Sequence, residues 1–107
     1  MILIIPEINH FGINGITLFP FIILRDKKLK TDKQIMNHER IHIRQQIEML
    51  IIPFYVVYIT EYVIGLLKFR NKANAYLNIS FEKEAYANDK DLNYLKSRKL
   101  WAWITFL

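Results

Sequence analysis

The chain has 107 residues, 52% of them hydrophobic, with no cysteine and a formal net charge of +5. That length suits one domain, residues 1–107, with a modest core; the apolar content argues against disorder, and the missing cysteines remove disulfides and thiolate metal ligands. Basic residues cluster at 25–33, 68–72 and 96–99, but no glycine-rich or RNP-like aromatic pattern accompanies them, so no nucleic-acid partner is expected. A membrane surface is the partner such clusters admit, at about 1 kcal/mol per basic residue beside an anionic leaflet.

The opening Met1 to Pro6 lacks a basic n-region, and its apolar run is too short for a secretory signal. The expectation is a cytoplasmic protein or one peripheral to the membrane. Ile2 to Ile5 reads as a short strand ended by Pro6, and residues 9–15, with two Gly and two Asn, as a loop. Gly15 to Leu24 is rich in β-branched and aromatic residues and reads as a strand, which Pro20 demotes to an edge or a bulge. An extended peptide could add to such an edge through main-chain hydrogen bonds; the plainer reading is a hairpin capping an apolar helix.

A helix follows. Thr31 and Gln34 fit a capping box, no Gly or Pro interrupts the run to Leu50, and Pro53 stops it. Within it lies His38-Glu39-Arg40-Ile41-His42. Helical residues i and i+4 lie one above the other on one face, so His38 and His42 can share one tetrahedral zinc at about 2.0–2.1 Å each. Glu39 is offset from that face and is suited to take the proton of an attacking water, the general base's task in a metallopeptidase. Ile35, His38, His42, Gln45 and Met49 form the stripe that would face the ion. The plain alternative is two solvated histidines on an amphipathic helix.

Leu50 to Leu67 is an eighteen-residue apolar stretch, at the threshold for a membrane span. A span of about 27 Å would part the histidines from every downstream ligand. If the metal site exists, this segment is instead a buried core helix, or one lying on a membrane, that doubles back. Glu61 within the run also weighs against exposure to lipid.

Two histidines leave catalytic zinc one protein ligand short. His10 and the downstream carboxylates remain. Ser80 can cap a further helix reaching about Leu95, with Glu82 and Glu84 in its first turns. These two lie about 200° apart around the axis, so only one can face a given ion. The apolar tail Leu100 to Leu107, with Trp101 and Trp103, could pack on the core or sit at a lipid interface.

HExxH followed some forty residues later by E-x-x-A on a second helix resembles the gluzincin type of zinc metallopeptidase. Glu82 to Tyr86 fits that second element with Tyr86 where Asp is usual, and Glu84 to Asn88 fits with Asn88 there. The chain also resembles small bacterial proteins classed with the metallopeptidases, whose landmarks are HExxHxRQ, an early proline in an apolar stretch, and FExEAY. Here these are His38 to Gln45, Pro53, and Phe81 to Tyr86. The resemblance implies a minimal zincin-like fold and Zn2+ held by His38, His42 and Glu82, with Glu84 as the alternative third ligand. It also implies Glu39 as base and a peptide or protein as substrate.

The fold expected is thus α+β and mainly helical, a short N-terminal hairpin or edge strand packed on three to four helices. Tyr86, Tyr76 and His10 are candidates for stabilising the oxyanion. Gln45 or Asn88 could hold a ligand imidazole. The rival function is a non-catalytic metal-binding or membrane-associated helical module, favoured by the lack of an obvious second lobe to form a cleft.

Overall fold

The computed structural model describes residues 1–11 and 13–107, and the side chains of residues 9–11 fall outside that description. The described chain is α+β and mainly helical, with five α-helices and one three-stranded sheet. Strands β1 (Ile2–Ile4), β2 (Gly15–Leu18) and β3 (Phe21–Leu24) lie in the order β1-β3-β2. β1 runs parallel to β3, and β2 antiparallel to it with Thr17 opposite Ile22. Of the two readings open for residues 15–24, one edge strand or a hairpin, the structure has the hairpin. Proline has no N–H to give to a ladder, and the chain turns at Phe19-Pro20, a cis peptide. β3 takes the centre, and its Ile22, Ile23 and Leu24 are buried.

Helix α1 (Lys33–Glu48) is capped one residue later than the sequence suggests. The Asp32 carboxylate accepts from the Ile35 N–H, whereas the Thr31 hydroxyl donates to the Lys28 carbonyl. α1 ends at Glu48, short of Leu50, because Leu50 and Ile51 adopt φ of 58° and 70°. Pro53 does not stop α1. It sits in the first turn of α2 (Ile52–Phe69), where its missing N–H costs nothing.

α2 is the one described helix long and apolar enough to cross a membrane, yet only 11% of it is buried. The expectation of a buried apolar helix is overturned. A core this small is filled by the inner side of α2, where Phe54, Tyr55, Tyr58 and Tyr62 pack on Met49, Ile79, Phe81 and Trp103. Ile52, Val56, Ile59, Val63 and Leu67 are left outside.

The chain then doubles back. Residues 71–79, expected as a plain connection, contain α3 (Lys72–Leu77), capped by the Asn71 side chain. α3 crosses α2 at Gly65, where a Cβ would come within 2.9 Å of the Ala75 Cα. α4 (Ser80–Asn88) follows with Ile79, not Ser80, at its cap position. The Ser80 N–H and hydroxyl both donate to Glu61, which accounts for a carboxylate inside an apolar helix. α4 stops at Asn88 rather than near Leu95, and α5 (Tyr94–Ser97) and a 3-10 turn over Ala102–Phe106 complete the fold. Trp103 is buried in the core and Trp101 is exposed.

Candidate metal centre

Of the eight buried residues in α1, six are polar: Asn37, His38, Glu39, His42, Gln45 and Gln46. Burying a polar group costs free energy unless it is hydrogen-bonded, so a core helix of this composition must be woven into partners. It is, on two faces. His38, His42 and Gln45 meet α4, while Glu39 and Gln46, seven residues apart, meet β2.

On the first face three donor atoms converge. His38 Nε2 and His42 Nε2 lie 3.1 and 3.0 Å from Glu82 Oε1, and 3.2 Å from each other. Ligand atoms at about 2.0–2.1 Å from a tetrahedral zinc stand about 3.3 Å apart, so this triangle fits three corners of such a site almost as it stands. Two imidazoles and one carboxylate are also the donor set of catalytic zinc with one position left open. His38, His42 and Glu82 form the one such cluster among the described residues. All three are buried.

The neighbours fix the orientation of each of these three side chains. A carboxylate can only accept, so His38 Nδ1–H donates to Asp89 Oδ2 at 3.0 Å. The Gln45 amide donates to the Phe81 carbonyl and to Glu84, which leaves its oxygen to accept from His42 Nδ1–H at 2.8 Å. Both imidazoles thus direct Nε2 toward Glu82, at the point where a shared ion would be held. Glu82 accepts from Tyr76 at Oε1 and from Tyr58 at Oε2, at 3.1 and 2.7 Å.

Burial alone would lower the pKa of His42, but the Glu82 carboxylate outweighs it and raises the value to about 9. Burial alone would likewise raise Glu82, yet the His42 and His38 imidazoles hold it well below the usual carboxylate range. Tyr58 and Tyr76 are pushed up by burial and then by Glu82, so both phenols stay protonated as donors.

On the second face Glu39 Oε2 accepts from the Thr17 hydroxyl at 2.8 Å. Its other oxygen would lie 3.5 Å from a Cβ on Gly15. Glu39 therefore looks into a cleft of ≈ 1130 Å³ bounded by β2, α1, the tyrosine side of α2, α3 and α4. The second wall that the sequence did not reveal is the α2–α3 pair.

Glu84 does not reach the histidines. It is fully buried, accepts from Gln45 and Tyr94, and pairs with Arg98, which also holds Glu48. Asn88 bonds the Glu84 carbonyl rather than an imidazole. The Tyr86 ring packs on His38 with centroids 4.4 Å apart, and its hydroxyl lies 3.0 Å from that of Tyr76. The side chain of His10 lies outside the described residues. Three residues escaped the sequence reading: Asp89, Thr17 and Tyr58. Asp89 had a signal, since it follows Glu82 by seven residues, two helical turns, and so shares its face. Tyr58 and Thr17 had none beyond their residue types.

Comparison with known protein families, with curated proteins and with solved structures finds no match to this chain.

Proposed function

We propose that this chain is a zinc-dependent, metallopeptidase-like hydrolase, with His38, His42 and Glu82 as ligands and Glu39 as general base. The observation that carries the reading is the buried triangle of two imidazole nitrogens and one carboxylate oxygen, 3.0–3.2 Å on a side, beside a second carboxylate in a cleft. Zinc, when bound, polarises a carbonyl and makes a water acidic at neutral pH.

The chain's own residues supply the rest. Glu39, one residue from the ligand face, accepts the water's proton and returns it to the leaving amine. Thr17 keeps that carboxylate aimed. Tyr86, protonated and at the cleft, is the donor that can turn from Tyr76 to steady the oxyanion, because Tyr76 already gives its one proton to Glu82. The outer edge of β2 is partly closed, because the Gln46 amide donates to the Thr17 carbonyl and accepts from the Phe19 N–H. That leaves the Gly15 end, beside Glu39, as the stretch where an extended peptide adds. The likeness of His38 to His42 and Phe81 to Tyr86 to the gluzincin elements supports the same reading.

The test is metal content with hydrolysis of a mixed peptide library. Wild type is expected to hold about one zinc per chain and to cleave. Glu82→Ala loses the metal, Glu84→Ala keeps it, and Glu39→Gln keeps the metal but not the cleavage. A wild type that binds no zinc at neutral pH overturns the reading. Zinc bound tightly with no cleavage of any peptide reduces it to a metal-binding module.

A further inference from the structure

We infer that the outward face of α2 seats on an anionic lipid bilayer, with the helix lying in the plane of the membrane surface. Ile52, Val56, Ile59, Val63 and Leu67 follow one another at spacings of three and four and so form one line along the helix. Their exposures run from 47% to 75%. No charged side chain falls on that line, because the one carboxylate of α2, Glu61, is turned inward to Ser80. A contiguous aliphatic stripe the length of an eighteen-residue helix is uncommon on a free surface and marks a docking face.

Charge identifies the occupant. Among the ten carboxylate side chains only Glu7, Asp26, Asp32 and Asp91 are exposed, against twelve exposed Lys and Arg. The other six serve the interior: Glu39, Glu82 and Asp89 at the metal centre, Glu48 and Glu84 on Arg98, and Glu61 on Ser80. The exposed side chains therefore carry a net charge of +8, against +5 for the whole chain.

Exposed Lys68, Arg70 and Lys72 stand at one end of the stripe. At the other end are Leu50, 80% exposed, and the tail, tied there by the Trp101 N–H donating to Glu48 at 2.7 Å. Leu100, Trp101, Ile104 and Leu107 of that tail are exposed as well. An aliphatic face, cations beside it and an interfacial tryptophan make up a helix that lies in a membrane interface.

A second copy of the chain would bring the same positive surface and no counter-charge; an anionic leaflet supplies it. Crossing the bilayer is disfavoured because the inner side of α2 is engaged in polar contacts, Tyr55 with Gln46, Tyr58 with Glu82, and Glu61 with Ser80. The inference stands on α2 and the surface charge and is independent of the metal centre.

The experiment is co-sedimentation of the full chain with vesicles of phosphatidylcholine, alone or with phosphatidylserine added. The protein should pellet with the phosphatidylserine vesicles, much less with phosphatidylcholine alone, and be released by salt. Val56→Glu combined with Val63→Glu should weaken binding about tenfold or more with an unchanged far-ultraviolet spectrum. Because both sites are exposed, the fold should survive, and Leu67→Gln serves as a milder second variant expected to weaken binding in the same direction. No binding of wild type to phosphatidylserine vesicles overturns the inference. So does binding that neither variant weakens, since charge alone would then explain it. A dimer broken by the same substitutions, without vesicle binding, makes a second copy the occupant and also overturns it.

Discussion

Asp89 Oδ2 accepts from His38 Nδ1 at 3.0 Å while Asp89 Oδ1 accepts from the Gln34 amide. One carboxylate at the end of α4 thus ties down an imidazole near the start of α1, and its position seven residues after Glu82 makes the two act together. Partners of this kind hold a ligand's tautomer and ring angle, and their removal typically costs 10–100-fold in metal affinity. Asp89→Ala is therefore expected to weaken zinc binding by about 10–100-fold in competition with a chelator. Undiminished affinity would show that His38 needs no such support.

Thr17→Val keeps the shape of a buried residue and removes the hydroxyl from Glu39. Metal content should be unchanged, because Thr17 touches no ligand. Cleavage should fall by roughly tenfold, mainly in kcat, as the base loses its fixed orientation. A fall in KM-dependent binding alone, with kcat intact, would assign Thr17 to the substrate edge instead.

The Glu84–Arg98–Glu48 cluster predicts a pH dependence. Burial alone would raise the Glu84 pKa, but hydrogen bonds from Arg98, Tyr94 and Gln45 more than offset it and hold the group below its usual 4.5. A carboxyl depressed in the folded state contributes stability that is present above its unfolded value and lost as pH falls through the folded one. Urea midpoints should drop below about pH 4.5, and Glu84→Gln should flatten that drop. The same variant should lose about 1.5–3 kcal/mol at neutral pH, tempered by the hold Glu48 keeps on Arg98, and should retain zinc.

Gly65 is where α2 and α3 touch backbone to backbone. A methyl there would lie 2.9 Å from the Ala75 Cα and 3.0 Å from its Cβ, and backbone cannot step aside as a side chain can. Gly65→Ala is expected to destabilise by about 1–3 kcal/mol, despite alanine's better helix propensity, as read by thermal unfolding. A more stable variant would mean that the two helices can part without cost.

Helix α1 was legible because its features are local. An unbroken helical run and two histidines one turn apart are set by neighbouring residues, whereas the cap expected at Thr31 falls to Asp32. Glu82 and Glu84 were equally placed in the sequence, being two apart on one helix. Arg98, fourteen residues on from Glu84, separated them by claiming one carboxylate for an ion pair and leaving the other to the histidines. α2 misled for a related reason. Its composition suits a core, but a chain of this size has only enough interior for one side of it.

What the amino-acid order determined by itself is the chemistry on offer: two imidazoles and a carboxylate within one helical turn, further carboxylates in a later helix, and no thiol. Periodicity along a helix needs nothing beyond the local backbone, so these could be read directly. The tertiary structure decided which carboxylate joins the imidazoles, that Asp89 orients His38 and Thr17 orients Glu39, and that α2 shows its aliphatic side to the outside. Those depend on where α3 reverses the chain against Gly65, a contact between segments that no local pattern encodes.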